Sequence, residues 1–386
     1  MGRLHSAGQA TYALQLAKID ISCRQVQRIA EEIGNEMAQQ RDSKVIQRRH
    51  RELPVRVSVT PEVVAVKVDG GRLRTRVAGE WGVHEAQNKE DKVACLMTLK
   101  SETSVQDPQP EPPPSFREPR RVQRLVQQMK GLAAENSDDL QETEEEPTPA
   151  QGAPEKPEDH RSGPQRLVRT CVASMAESHK FGPMVAAEAQ ERDFYQAKRK
   201  AYVSDGAAYN WSIHRGYFAD FEPITDFLHA LCYVFGAAWG VGSNDQERWS
   251  IYEKWLRACW QGRVGEVIEE VKVWQGRVGL PPEGEELNKK DPRRLVSEAL
   301  SYLGNNESRM NYPRYRREGL PITSSLVESL VGEFNARVKS RQKFWNRPDG
   351  PESILQLRAA VLSEDDRLDR FFAQRPGKPY RCQKAA

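Results

Sequence analysis

Long apolar runs are absent from this sequence. No stretch approaches the roughly 18 to 20 residues of a membrane-spanning helix, and no apolar h-region follows the N-terminus. Neither membrane insertion nor secretion is expected. Cysteine is scarce as well. The six (Cys23, Cys95, Cys171, Cys232, Cys259 and Cys382) form no C-x-x-C pair and do not cluster with histidine. That removes support for a zinc site or a disulfide framework and fits a reducing cytoplasm. Apolar residues make up only 38% of the 386 positions, against 29% charged, and mean hydropathy is −0.74. This is polar for a chain packed throughout, so part of the length is expected to stay out of any core. The length is about twice that of one typical domain, which allows one elaborated domain or two to three smaller ones.

The charges are unevenly placed. Residues 101–165 hold 11 of the 24 prolines, 14 acidic side chains and 7 basic ones. The run E-E-E-P-T-P-A-Q-G-A-P-E-K-P-E-D has almost nothing to bury, and 101–165 is expected to be a mostly disordered acidic insert with a short helix at Val122–Leu132. Taking its net −7 from the total of +3 leaves +10 on the remainder, as a polyanion-binding protein should have. The plain alternative is a solvated surface with an acidic loop.

Residues 8–19 and 22–40 read as two helices, the second capped by Ser22 and apolar at Val26, Ile29 and Ile33. Arg24 and Arg28 lie one turn apart on its outer side. The N-terminal segment 1–52 is thus either a helix-turn-helix DNA reader or a plain helical hairpin. The period then changes. V-V-A-V-K-V-D-G (63–70) and R-L-R-T-R-V are predicted as two strands joined by a tight Asp-Gly-Gly turn, with a third strand over 92–99. A helix over 171–198, a strand at 201–207, helices over 226–275 and 291–303, and a last helix over 325–342 follow. That order describes an α/β domain with a mixed sheet.

Two aspartates, Asp69 and Asp205, precede glycine at expected strand ends. Convergent carboxylates of this kind can hold Mg²⁺, a hard cation that favours oxygen, although an Asp-Gly alone is more often a turn. Glu328 supplies a third acid, and there Ser325-Leu-Val-Glu328 also reads as a capping box. Three blocks carry a resemblance: V-A-V-K-V-D-G-G with Asp69; Y-V-S-D-G-A-A-Y-N-W followed by I-T-D-F-L-H-A-L; and Y-R-R-E-G-L-P-I-T-S-S-L-V-E-S with Glu328, continuing into R-V-K-S-R-Q-K-F-W. In this order the chain resembles the DDE-type transposases of bacterial insertion sequences over residues 20–100 and 166–370. It departs from them in its Thr323-Ser324-Ser325 turn and in its acidic insert.

The resemblance implies a ribonuclease-H-like core over 53–100 and 166–228, a helical insertion over 229–315, core helices over 316–375 bearing the glutamate, and a tail over 376–386. It implies that Asp69, Asp205 and Glu328 are catalytic and bind two Mg²⁺ ions (Mn²⁺ substituting) about 3.5–4 Å apart. The substrates would be the ends of the element and target DNA. The chain would work in the bacterial cytoplasm at the nucleoid and form a homo-oligomer on DNA. A catalytically inactive DNA-binding derivative and a nuclease of the same superfamily are the rival readings. Residues 309–347 are strongly basic, and Arg314, Arg316, Arg317, Asn335, Lys339, Arg341 and Lys343, with Tyr312, Tyr315, Phe344 and Trp345 interleaved, read as a surface tracking phosphates and stacking bases. Arg24 and Arg28 extend the DNA-binding set. Trp211 and His229 are expected to be packing residues.

Overall fold

The computed structural model describes residues 7–78, 84–130, 163–323, 345 and 350–375. Among these, two N-terminal helices, α1 (Ala7–Leu16) and α2 (Cys23–Arg49), precede the long strands β1 (Val63–Ala78) and β2 (His84–Lys100). Then come α3 (Pro119–Lys130), β3 (Gln165–Ser174), α4 (Ser178–Glu191), β4 (Arg199–Ser204), α5 (Ala208–Tyr217) and β5 (Glu222–Thr225). Helices α6 (Phe227–Val241), α7 (Asp245–Trp260), α8 (Val264–Val278), α9 (Pro292–Asn306) and α10 (Tyr312–Arg317) follow, with α11 (Gly350–Leu362) and α12 (Arg367–Gln374) last. No described helix is long and apolar enough to cross a membrane.

The strands form one mixed sheet in the order β3-β2-β1-β4-β5, antiparallel on the β2 side of β1 and parallel on the β4 side. Central β1 is a β-branched run because both of its faces are covered. Val63 and Ala65 join Ala201 and Val203 in a core beneath α2, α6 and α11, while Val64, Val66 and Val68 pack with Tyr202 against α4 and α5. Helix α6 is apolar almost all round, as a helix packed on every side must be.

Several expectations are corrected. Asp69-Gly70-Gly71 is not a turn, because β1 runs on through Ala78 and β2 pairs with it along its whole length. The polar first half of β2 lacks apolar alternation and so gave no strand signal. The helix expected over 171–198 is β3 followed by α4, since Cys171 and Ala173 face the larger core and Val172 the smaller one. Helix α2 continues to Arg49, with no Pro or Gly to break it beyond Gly34. Its buried face is Val26, Ala30 and Gly34, whereas Ile29 is exposed. A Cβ on Gly34 would meet the Ser353 carbonyl oxygen at 2.0 Å, so α2 packs directly on α11 as part of the main body.

The acidic insert is the largest correction. Residues 131–162 lie outside the described residues, but 101–130 form an ordered strap across the helical insertion. A proline-rich path offers carbonyls with few N–H groups to satisfy, and α7 supplies matching donors. Trp260 Nε1 donates to the Gln109 carbonyl at 2.8 Å and the Tyr252 hydroxyl to that of Phe116 at 2.8 Å. Phe116 stacks on Phe227 with ring centres 5.7 Å apart, and α3 buries Val122 and Val126. Arg316 Nε bonds the Asp107 carboxylate at 2.8 Å.

Burial alone would raise the Asp107 carboxyl, but hydrogen bonds from Arg316 and the Gln109 N–H outweigh it and hold the group below its ordinary value. A carboxyl lowered on folding adds stability above its unfolded pKa, and that stability is lost as pH falls through the folded one. Asp107→Ala is expected to cost about 2 kcal/mol at pH 7, a modest figure because the aspartate keeps some solvent. Urea midpoints compared with wild type should converge below about pH 4; identical midpoints at pH 7 would mean the strap is not fastened there.

Candidate functional site

The parallel ladder between β1 and β4 ends with Val68 opposite Ser204. One residue further, Asp69 and Asp205 stand side by side on chains about 4.8 Å apart. Asp69 is thus set by the point at which β4 stops, not by a turn in its own strand. After Asp205 the chain leaves the sheet through Gly206 at φ +96°, where a Cβ would also meet the Tyr302 ring at 2.8 Å.

The Asp205 carboxylate is held through one oxygen. Its Oδ1 accepts from the Ala207 N–H at 3.0 Å, the Ser204 hydroxyl at 3.2 Å and Asn210 Nδ2 at 2.8 Å. Asn210 is fully buried, and its Nδ2 also donates to the Val68 carbonyl at 3.3 Å, so one amide ties the β1 backbone to the carboxylate beyond β4. The Asp205 carbonyl accepts from the Tyr302 hydroxyl at 2.9 Å. Asn306 Nδ2 bonds the Tyr302 carbonyl at 2.9 Å, and Trp211 Nε1 donates to Asn306 Oδ1 at 3.1 Å. Helix α9 of the insertion therefore braces the loop that carries Asp205. Asp69 Oδ1 accepts the Gly70 N–H at 2.8 Å. Gly70 must be glycine, for a Cβ would lie 2.5 Å from the Tyr209 hydroxyl. Burial, then the nearby Asp205, Asp69 and Glu90, pushes that phenol up, so Tyr209 stays neutral.

Each of the two carboxylates keeps Oδ2 without a hydrogen bond, and neither has a cationic partner among the described residues. Paired hard oxygens of like charge fit a divalent cation such as Mg²⁺. Among the described residues no group of three or more Asp, Glu, His or Cys is gathered to hold a metal. Glu328, the predicted third ligand, lies outside them, as do Glu333, Asn335, Lys339, Arg341, Lys343 and Phe344. Asp91, opposite Gly71 on β2, is a buried acid that pattern reasoning missed; it stands in a polar stretch with no strand signal. Tyr209 and Asn210 lay inside a quoted block but had no assigned role.

Beside the pair lies a second buried cluster. Lys67 Nζ is 3.3 Å from Asp226 Oδ2, and Asp226 Oδ1 caps α6 by accepting the Leu228 N–H at 3.0 Å. His229 Nδ1 is 3.5 Å from the same Asp226 oxygen. Trp211 is buried, whereas His229, expected to pack, is half-buried against the Asp226 carboxylate.

The predicted DNA-binding residues divide. Arg24 and Arg28 are exposed on α2, and Arg317 is exposed at the end of α10. Arg314 pairs with Glu222 and lies over the Tyr315 ring. Arg316 is buried between Asp107 and the Trp260 ring and cannot reach a polyanion. Tyr312 and Tyr315 are core residues, not stacking platforms, because the short α10 turns them under β5. Trp345 exchanges backbone hydrogen bonds with Arg74 and Arg76 of β1, and its indole packs partly on the core. Neither the family models nor the curated proteins compared with the chain give a match. A cavity of about 920 Å³ lies at the opposite end of the sheet, between α2, α4 and α12.

Burial would lower the His229 imidazole, but the adjacent Asp226 carboxylate outweighs it and raises the group. A histidine raised on folding adds stability that is complete below its unfolded pKa of about 6.5 and fades as pH rises through the folded value. His229→Gln should therefore lose more stability, relative to wild type, at pH 6 than at pH 9. Urea titrations at the two pH values measure this, and a larger loss at pH 9 would refute the assigned Asp226 contact.

Proposed function

We propose that this chain is a DDE-type transposase with a ribonuclease-H-like core, cutting the ends of a mobile DNA element and joining them to target DNA. The observation that carries the proposal is the adjacency of Asp69 and Asp205 where β1 and β4 part. Two acids picked out by their sequence blocks, 136 residues apart, meet with an oxygen free on each. The mixed sheet and the wholly helical insertion after β5 are compatible with such a core.

Asp69, Asp205 and Glu328 would hold the ions. When bound, divalent cations supply Lewis-acid activation of the attacking oxygen and offset charge on the leaving oxygen. The chain's own residues do the positioning. Asn210 and the Ala207 N–H lock the Asp205 carboxylate, and α9 fixes its loop through Tyr302. Lys67 and Asp226 neutralise each other beneath the site, so the free charge above them stays negative. Cleavage by water and joining by a DNA 3′-hydroxyl are both in-line displacements at phosphorus, so one site serves both, and no protein–DNA covalent bond is needed. Among the described residues, Arg24, Arg28 and Arg317 are the exposed predicted cations left to meet phosphate.

Labelled element ends, a target plasmid and Mg²⁺ test the reading. Joined products support it; cleavage alone indicates a nuclease, and a mobility shift alone an inactive DNA-binding protein. Asp205→Ala should abolish cleavage while DNA binding persists or tightens, because a negative charge beside phosphate is removed. Persistent cleavage in that variant, or activity undiminished in EDTA, ends the two-metal account. Glu328→Gln should eliminate strand transfer while Glu333→Gln costs little. Asp69→Asn should raise the melting temperature without metal, since like-charge repulsion is relieved, and should blunt the stabilisation that Mg²⁺ gives wild type.

A further inference from the structure

The strap carries a charge pattern opposite to its composition. Four of the seven basic residues of 101–165 (Arg117, Arg120, Arg121 and Arg124) fall within eight positions, all in the ordered part. On α3, at about 100° per residue, Arg120, Arg121 and Arg124 occupy an arc of about 100°. Val122 and Val126 lie roughly on the far side and are buried at 1% and 0% exposure. The three arginines are exposed, and none forms an ion pair or a hydrogen bond among the described residues. Glu118, three residues before Arg121 and just ahead of the helix, forms no ion pair with it among the described residues.

The stripe is also rigidly mounted. Val122, Val126 and the Phe116–Phe227 stack fix α3 along α6, and Cys232 Sγ of α6 touches Met129 Sδ at 3.5 Å. Helix α6 begins at Phe227, directly after Asp226, whose N–H bonds the carbonyl of Ser204, the residue before Asp205. Elsewhere on the strap, two acids are paired: Asp107 with Arg316, and Glu111 with Arg257 at 2.9 Å. Three guanidinium groups without partners among the described residues, on a helix anchored to α6, suit a polyanion whose charges repeat along a line.

We propose that the outer face of α3 is a contact surface for the phosphate backbone of duplex DNA, held beside the Asp69–Asp205 site by the strap. The inference rests on the transposase reading and adds to it a DNA contact outside the resembling blocks. Such contacts are electrostatic and independent of base sequence.

The test is the full chain carrying Arg120→Gln, Arg121→Gln and Arg124→Gln together, with duplex DNA as the probe over a salt series. Since the side chains are exposed, urea midpoint and circular dichroism should match wild type. Affinity should fall tenfold or more at 0.1 M salt for element-end and random duplexes alike. The slope of log affinity against log salt should shrink by about 0.9 per lost phosphate contact, up to about 2.7. If wild type binds DNA and the variant keeps the same affinity and slope, the α3 surface is refuted while the transposase reading stands. If wild type binds no DNA, the transposase reading itself fails, and the α3 proposal with it. Binding to anionic phosphatidylserine vesicles but not to DNA, lost in the variant, would overturn DNA as the partner.

Discussion

The parallel pairing of β1 with β4 is the constraint on which the candidate site depends, because it forces two carboxylates together. Like charges at neighbouring positions on adjacent strands disfavour each other. A protein that needed those aspartates only as turn formers would relieve the repulsion with a lysine or by spacing them apart. Here the local donors bind one oxygen of each group and leave the other. The amide of Asn210 bridges Asp205 to the β1 carbonyl at Val68, so the strand pairing and the carboxylate orientation are fixed by one buried side chain.

The helical insertion and the strap follow from the same need for rigidity. A half-exposed loop such as Asp205–Ala207 would otherwise move freely. Tyr302 reaches it from α9, and Asn306 and Trp211 extend the chain of hydrogen bonds back to α5. Helix α9 can hold that position only if the insertion is itself anchored. The strap contributes by joining α6, α7 and α10 through Phe116, the Trp260 and Tyr252 donors and the buried Arg316. Arg316 illustrates the exchange: a side chain that looked free to bind phosphate is consumed in fastening proline-rich chain to helix.

What could be read from the sequence was what local pattern encodes. The V-V-A-V-K-V run, the 226–275 helices and the Asp-Gly at 205 have distinct periodicity or turn chemistry, and each appears close to its expected place. Asp69 was picked out on a partly wrong premise. The glycines after it looked like a hairpin turn, yet they are paired strand residues, and Gly70 is required by the Tyr209 hydroxyl, a contact no local pattern carries. The strap was misjudged because its order comes from partners more than 100 residues away: Trp260, Tyr252 and Arg316 satisfy its carbonyls and its acid. Tyr312 and Tyr315 were misjudged likewise, since a basic aromatic string does not reveal which rings point inward.

Charge pairing separates the two ends of the sheet. At the cavity end, buried charges are matched. Glu188 is pressed between Arg367 and Lys44, and although burial would raise it, these cations hold it at about 2. Glu191 pairs with Lys44 and Arg56, and Arg192 fills its donors with Thr170, Thr98 and two carbonyls. Such a network keeps a polar interior folded and has little charge left for a ligand, so volume alone does not make that cavity the site of chemistry. At the other end, among the described residues, Asp69 and Asp205 keep oxygens free beside a neutral tyrosine, while Lys67 is engaged by Asp226 and Lys92, which lies over that tyrosine ring, by Glu90. Negative charge retained at the rim of a rigid sheet is what the proposed divalent cations would meet. That asymmetry, more than the shape of either end, is why the chemistry is assigned to the parting of β1 and β4.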